Sequence, residues 1–243
     1  MTDKTNNQEQ MDIVYILGSG SKWDDNEIKY SLRSLKFFEH RNVFVIGEKL
    51  DWFSDKIIHI PATDSEMTKF KNARKKLKIA VNDPRISDDF VLMNDDFYFW
   101  REVKEIKPYH RGKIRDVVNS LHKKHGNISF IATLRLMGRI HKHGYDYSVH
   151  YPFVYNKEKL KKVISDCELY KTNILIRTHY GNLFHRNNPK LQRKDVKIHN
   201  YEDIDKVFKD KPEVISTGDH VVLDEKMQKK LKNKFRKKSE YEI

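Results

Sequence analysis

The sequence predicts an α/β fold in which a mainly parallel central sheet is flanked by helices. Three observations carry this expectation. Short apolar, β-branched runs alternate with stretches of helical periodicity through the first hundred residues. The first four of these runs end in Gly18, Gly47, Pro61 and Asn94, residues that close a buried strand where it leaves a sheet. Finally, a chain of 243 residues with 38% hydrophobic and 12% aromatic content has material for one sizeable core, despite a charged fraction of 34%.

Asp12 to Leu17 reads as a buried first strand, and Gly18-Ser19-Gly20-Ser21 as a backbone-exposing loop behind it. From Asn26, the apolar positions Ile28, Leu32, Leu35 and Phe38 recur at helical spacing, with Asp24 or Asp25 placed to cap the start. Val43 to Ile46 and Ile57 to Ile60 are compact strands. Residues 66 to 81 form a basic helix, and Asp89 to Met93 a further strand whose far end delivers Asn94-Asp95-Asp96. Beyond it, 113 to 125 and 157 to 164 read as helices, 128 to 131 as a strand and 201 to 208 as a short helix. Ser216-Thr217-Gly218-Asp219-His220 joins a strand to the C-terminal helix. With no internal repeat and no Gly/Ser-rich linker, the expectation is one domain over residues 1–225 and a basic tail over 226–243.

Charge narrows the partners. The formal net charge is +13, and Lys226 to Lys238 holds eight Lys and Arg without an acid, so most of the excess lies near the C-terminus. A second cluster runs from Lys69 to Lys78. Lys71, Arg74 and Lys75 in one cluster, and Lys229, Lys230 and Arg236 in the other, are the candidate grips for phosphates of a nucleic acid, although charge runs are usually solvated helix faces. No run reaches the length of a membrane span, and Met1 to Gln10 is polar without the apolar core of a signal peptide, so the expected address is the cytoplasm. The lone Cys167 excludes an intrachain disulfide and a cysteine-rich zinc site, and reads as a structural thiol. Nothing indicates the oligomeric state.

Two adjacent carboxylates leaving a buried strand can hold a hard divalent cation against a diphosphate, so Asp95 and Asp96 are candidate metal ligands and Asp96 a candidate catalytic residue. The bland alternative is a turn in which Asn94 and the aspartates satisfy backbone amides. Gly18, Ser19, Gly20 and Ser21 lack the third glycine of a dinucleotide fingerprint, but their amides and hydroxyls can meet a nucleotide as readily as they can form a plain turn. His150-Tyr151-Pro152 and Thr178 to Asn182 are candidate acceptor-side segments, with His150 a possible base and Arg177 a possible phosphate partner. Asp219 is either an N-cap or a base or metal partner.

Asn26-Glu27-Ile28-Lys29-Tyr30-Ser31-Leu32-Arg33-Ser34-Leu35 resembles the NELRYSLRSL helix of the Stealth-type sugar-phosphate transferases, Asp89 to Asp96 resembles their FIYLNDD segment, and His150 with Pro152 is similar to their HxP element. More broadly the chain is similar, over residues 12 to 100, to glycosyltransferases of the nucleotide-diphospho-sugar (GT-A) fold. The resemblance implies a nucleotide-sugar donor, UDP-linked by preference, with Mg²⁺ or Mn²⁺, and donor-side roles for Arg33 and Asn94. It departs from Stealth proteins where their acidic WVDG-like motif is replaced by Ile16-Leu17-Gly18-Ser19-Gly20, which disfavours sugar-1-phosphate transfer and favours glycosyl transfer. Small bacteriophage transferases that decorate hydroxymethylated pyrimidines look similar too, which implies DNA as acceptor and the host cytoplasm as address. A transferase of surface polysaccharide synthesis and a noncatalytic nucleic-acid-binding protein are the alternatives.

Overall fold

The computed structural model describes residues 10–65, 68–122, 128–169, 174–187, 191–193 and 196–243. Its strands in chain order are β1 (Asp12–Leu17), β2 (Val43–Gly47), β3 (Ile57–Pro61), β4 (Asp89–Met93), β5 (Phe97–Phe99), β6 (Phe153–Asn156), β7 (Lys197–Ile198) and β8 (Val214–Thr217). The helices are α1 (Asn26–Ser34), α2 (Lys69–Asn82), α3 (Ile114–His122), α4 (Ile128–Ile140), α5 (Lys157–Leu169), α6 (Ile176–Phe184), α7 (Asp203–Lys209) and α8 (Glu225–Lys234). The central sheet has the order β3-β2-β1-β4-β6, parallel throughout except for β6 at the edge. Among the described residues no helix is long and apolar enough to cross a membrane.

The continuous apolar runs of β1, β2 and β4 reflect burial on both faces. Val14, Phe44, Ile46, Phe90 and Leu92 point into one core layer against Leu77 and Ala80 of α2, Leu134 of α4 and Leu160 of α5. Ile13, Tyr15, Val43, Val45, Val91 and Met93 alternate to the opposite layer, where Ile28 and Leu32 of α1 cover them. A smaller sheet, β5-β8-β7, packs Tyr98 and Ile215 over Met227, Leu231 and Phe235 of the C-terminal segment. The two sheets are joined through α1: Tyr15 Oη and Ser31 Oγ lie 2.8 Å apart, and Ser31 Oγ donates to Phe97 O at 2.6 Å.

Several expectations are corrected. The expected strand at 128–131 is the first turn of α4, because buried Ile131, Leu134 and Met137 continue its apolar spacing at a helical period for nearly two further turns. Residues 66–67 and 123–125 of the two expected helices lie outside the described residues. Asp25 occupies the N-cap position of α1 but with φ 55, and its side chain makes no capping bond. The turn into α1 is held instead by Ser21, whose hydroxyl accepts from Asp25 N at 2.8 Å, and by buried Glu27, which accepts from Ser21 Oγ and Lys22 N. Asp219 is exposed, and the cap of α8 is Asp224, which accepts from Lys226 N and Met227 N. Nor do the residues after Asp224 trail from the body: Met227, Leu231 and Phe235 are fully buried, and Ile243 N donates to Trp52 O.

Candidate functional site

The chain runs from β1 outward through β2 to β3, then returns to lay β4 on the other side of β1. Strand order therefore reverses between β1 and β4, and in open α/β sheets the crevice beyond the carboxyl ends at such a reversal is where ligands bind. The last register pair across these strands is Tyr15 with Met93, so Leu17 and Asp95 each stand two residues past it, at the mouth of the crevice. The turn from β4 into β5 closes with Phe97 N donating to Asn94 O at 3.2 Å, leaving Asn94, Asp95 and Asp96 each half-buried.

The two aspartates have different surroundings. Asp96 Oδ2 accepts from Lys197 Nζ and from Ser216 Oγ, both at 3.0 Å, while Asp96 Oδ1 is buried and has no hydrogen-bond partner. Burial first, then the charges of Asp96 and Glu27, push the carboxyl of Asp95 up to about 7. A crowded carboxylate pair with one orphaned buried oxygen is a site short of positive charge. Among the described residues no three His, Cys, Asp or Glu side chains converge as a metal cage. A hard cation that takes one or two carboxylates and leaves its remaining positions to water and phosphate oxygens fits this pair, as Mg²⁺ characteristically does.

The loop after β1 is braced from the side. Lys76 of α2 is buried, donates to Leu17 O at 2.6 Å and pairs with Asp64 at 2.6 Å. A Cβ at Gly18 would stand 2.8 Å from Asp64 Oδ2, so the loop can pass only as glycine unless Asp64 shifts. Ser19 and Gly20 are exposed and open to a ligand, whereas the Ser21 hydroxyl is spent on Glu27 and the turn. Sequence reasoning missed Asp64, Lys76, Lys197 and Ser216. A lysine beside Leu77 and one turn before Ala80, on the apolar stripe of α2, was a readable signal for Lys76 alone.

His150 is half-buried, with its ring 6.1 Å from that of His199, the residue following β7. Since β7 also carries Lys197, the structure brings His150 to the same end of the small sheet as Asp96. Asp219 lies nearby in sequence order, two residues after Thr217, whose amide donates to Asp96 O at 3.3 Å.

Other candidates are turned elsewhere. Arg33 is a correction: its guanidinium grips both oxygens of Glu242 and the Phe235 carbonyl, which fastens the C-terminus to α1 and leaves no fork for a nucleotide. Arg177 likewise donates to the Val149 and Tyr151 carbonyls. Thr178 to Asn182 is no acceptor loop but the body of α6, with Thr178, His179 and Asn182 buried and bonded internally. Cys167 is buried, which pushes its thiol up to about 11 and keeps it unreactive.

The basic candidates also divide. Lys71 is exposed, Arg74 donates to Cys167 O and Lys75 to Thr63 O. On α8, Lys226 and Lys230 pair with Asp205 of α7, which cancels part of the expected charge, while Lys229 and Arg236 are exposed.

No family model matches the sequence, and no curated protein is recognisably similar to it. Among solved structures, the glycosyltransferase GlyE of Streptococcus pneumoniae TIGR4 superposes at a TM-score of 0.43 with 12% identity, over 85% of this chain and 54% of that one. The chain thus spans about half the length of GlyE. Francisella tularensis 2-C-methyl-D-erythritol 4-phosphate cytidylyltransferase superposes at 0.40 with 13% identity, over 82% of this chain and 99% of its own. Mouse xyloside xylosyltransferase 1 does so at 0.38 with 9% identity, over 96% of each chain. TM-scores below 0.5 at such identities assign this chain neither a family nor an activity; its mixed α/β architecture with a mainly parallel sheet rests on its own strand pairing.

Proposed function

We propose that this chain is a GT-A-like, metal-dependent glycosyltransferase that moves a sugar from a nucleotide-sugar donor, UDP-linked by preference, to a hydroxyl on a hydroxymethylated pyrimidine in DNA. The observation that carries the reading is the orphaned Oδ1 of Asp96 beside Asp95, whose carboxyl is pushed up by burial, at the strand-order reversal between β1 and β4. Mg²⁺ or Mn²⁺ held by Asp95 and Asp96 would offset the charge that gathers on the diphosphate as the glycosidic bond breaks.

The remaining roles belong to the chain itself. Ser19 and Gly20 offer exposed backbone and a hydroxyl to the donor, and the Lys76–Asp64 brace holds that loop in place. Lys197 and Ser216 fix the rotamer of Asp96 by occupying Oδ2, so that Oδ1 stays directed at the site. In the transfer, the bond from the anomeric carbon to the leaving phosphate oxygen breaks and one to the acceptor oxygen forms. The acceptor proton passes to His150, and the nucleoside diphosphate departs.

The test is a mass-spectrometric transfer assay with pooled nucleotide sugars, Mg²⁺ or Mn²⁺, and DNA with or without hydroxymethylated pyrimidines. A sugar-sized mass gain on the modified DNA alone is the expected result, lost in Asp95→Asn with Asp96→Asn. Donor hydrolysis without DNA modification would redirect the acceptor to glycans, and no donor turnover would retire the transferase reading.

A further inference from the structure

The cations on the face formed by α1 and α8 are not equivalent. Lys226 and Lys230 share the single carboxylate of Asp205, but Lys36, Lys232 and Lys234 have no acidic partner among the described residues. Each of these three is instead held over an aromatic ring. Lys232 Nζ lies 5.8 Å from the Trp23 ring centre, Lys234 Nζ lies 4.8 Å from Phe37 and 5.5 Å from Trp100, and Lys36 Nζ lies 5.1 Å from Phe37. Two ammonium groups thus share one phenyl ring. Partial burial and then the neighbouring Lys36 charge push the amine of Lys234 down, a cost that an anion between them would remove.

The rings fix where these charges stand. Trp23 stacks on Tyr30 at 5.3 Å, and Phe37 packs on Phe235 and Trp100 on Phe208 and Phe235, so each ring is anchored against the apolar residues between the small sheet and α8. Ring faces that already carry lysines are poorly placed to stack bases, so the surface reads charge and spacing rather than sequence. From Tyr30 to Phe37 the chain advances by seven residues of continuous helical turn, roughly 10 Å, or about three nucleotides of one B-form strand at roughly 3.4 Å each. Trp23 sits in the segment between the Gly18–Ser21 loop and α1, so one end of the row adjoins the crevice. Lys229 extends the row, three residues before Lys232 on the same side of α8.

We infer that Lys36, Lys232 and Lys234, seated on Phe37, Trp23 and Trp100, form a phosphate track that holds the backbone of a nucleic-acid acceptor and leads it to the crevice between β1 and β4. The inference rests on the proposed nucleic-acid acceptor and narrows its two expected basic clusters, on α2 and near the C-terminus, to the α1–α8 face.

Binding of a fluorescent 20-nucleotide DNA, single-stranded and as a duplex, is measured between 50 and 300 mM salt for the full chain and for a Lys36→Gln, Lys232→Gln, Lys234→Gln variant whose folding is checked by circular dichroism. The variant is expected to bind about tenfold or more weakly, with the slope of log K against log salt reduced by roughly 2 to 3. Should that variant misfold, Lys36→Gln alone, on an exposed side chain, is expected to lower the slope by roughly 0.7 to 0.9. A Lys71→Gln, Lys75→Gln variant is the comparison: a larger loss there, an unchanged slope in the track variants, or equal binding to phosphatidylserine vesicles would overturn the track. Donor hydrolysis by the unaltered protein without DNA reports on the transferase reading separately. DNA binding that depends on the three lysines in a protein that hydrolyses no donor would keep the track and retire the transferase.

Discussion

Lys197 Nζ stands 3.0 Å from Asp96 Oδ2, and it reaches that position because β7 pairs with β8 in the register that sets Lys197 opposite Ser216, the other donor to the same oxygen. Two donors on one oxygen leave the other bare. The arrangement orients Asp96 without consuming it, as a group behind a metal ligand would under the proposed function.

Lys197→Met and Ser216→Ala are therefore expected to weaken Mn²⁺ binding by about tenfold each, with Lys197→Arg largely restoring it. Titration calorimetry or Mn²⁺ electron paramagnetic resonance on the nucleotide-free protein reads this without any transfer reaction. Tighter Mn²⁺ binding in Lys197→Met would instead make the lysine a competitor for the cation.

Asp95 sets the pH dependence of the same site. Burial, then the charges of Asp96 and Glu27, push its carboxyl up to about 7 in the folded protein, whereas an unfolded aspartate titrates near pH 4. Its contribution to stability is thus full below about pH 4 and is lost as pH rises through about 7. Cation binding needs the carboxylate, so Mn²⁺ affinity should rise by up to about tenfold per pH unit below 7, with proton release, and level off above. Calorimetry at pH 6 in two buffers of different ionisation enthalpy detects the proton; an affinity flat from pH 5.5 to 8 would contradict the assignment.

A second titration acts in the opposite sense. His141 lies 2.8 Å from His179, which contacts Asp166 at 3.0 Å, and burial followed by the His179 and Arg186 charges lowers the His141 ring to about 4. A base depressed in this way contributes stability that is present above the ordinary value near 6.5 and is lost as pH falls through about 4. Urea unfolding between pH 7 and 4 should show that acid limb, on the order of 1 to 2 kcal/mol after solvent screening, and His141→Asn should flatten it. The limb persisting in the variant would place its source elsewhere.

Gly181 tests the packing of α6 against the segment that leads to His150. A Cβ there would stand 2.3 Å from Tyr147 Cγ, and Tyr147 is pinned by its amide to Thr178 Oγ1 and by its hydroxyl to His185 O. Gly181→Ala should cost about 1 to 3 kcal/mol, visible as a fall in Tm, although alanine is the better helix former. A rise in Tm would mean that Tyr147 yields easily.

Much of the frame was legible because its signals are local. A strand buried on both faces must be apolar throughout whatever its neighbour, so Asp12–Leu17 and Asp89–Met93 could be bounded without a structure, and Asn94-Asp95-Asp96 emerged as the exit from the second. The segment at 128–131 misled because so short an apolar run carries no period; its helical character rests on Leu134 and Met137, one and two turns further along the chain.

The sequence by itself determined the alternating strand-and-helix order, the carboxylate pair at a strand end and the excess of positive charge. Only the tertiary structure decided which charges remain free to act. Arg33 is spent on Glu242, Lys230 on Asp205 and Ser21 on Glu27, while Lys197 crosses from a distant segment to Asp96. A side chain's type is fixed by the sequence, but its partner is fixed by strand order, register and burial, and these join residues far apart in the chain.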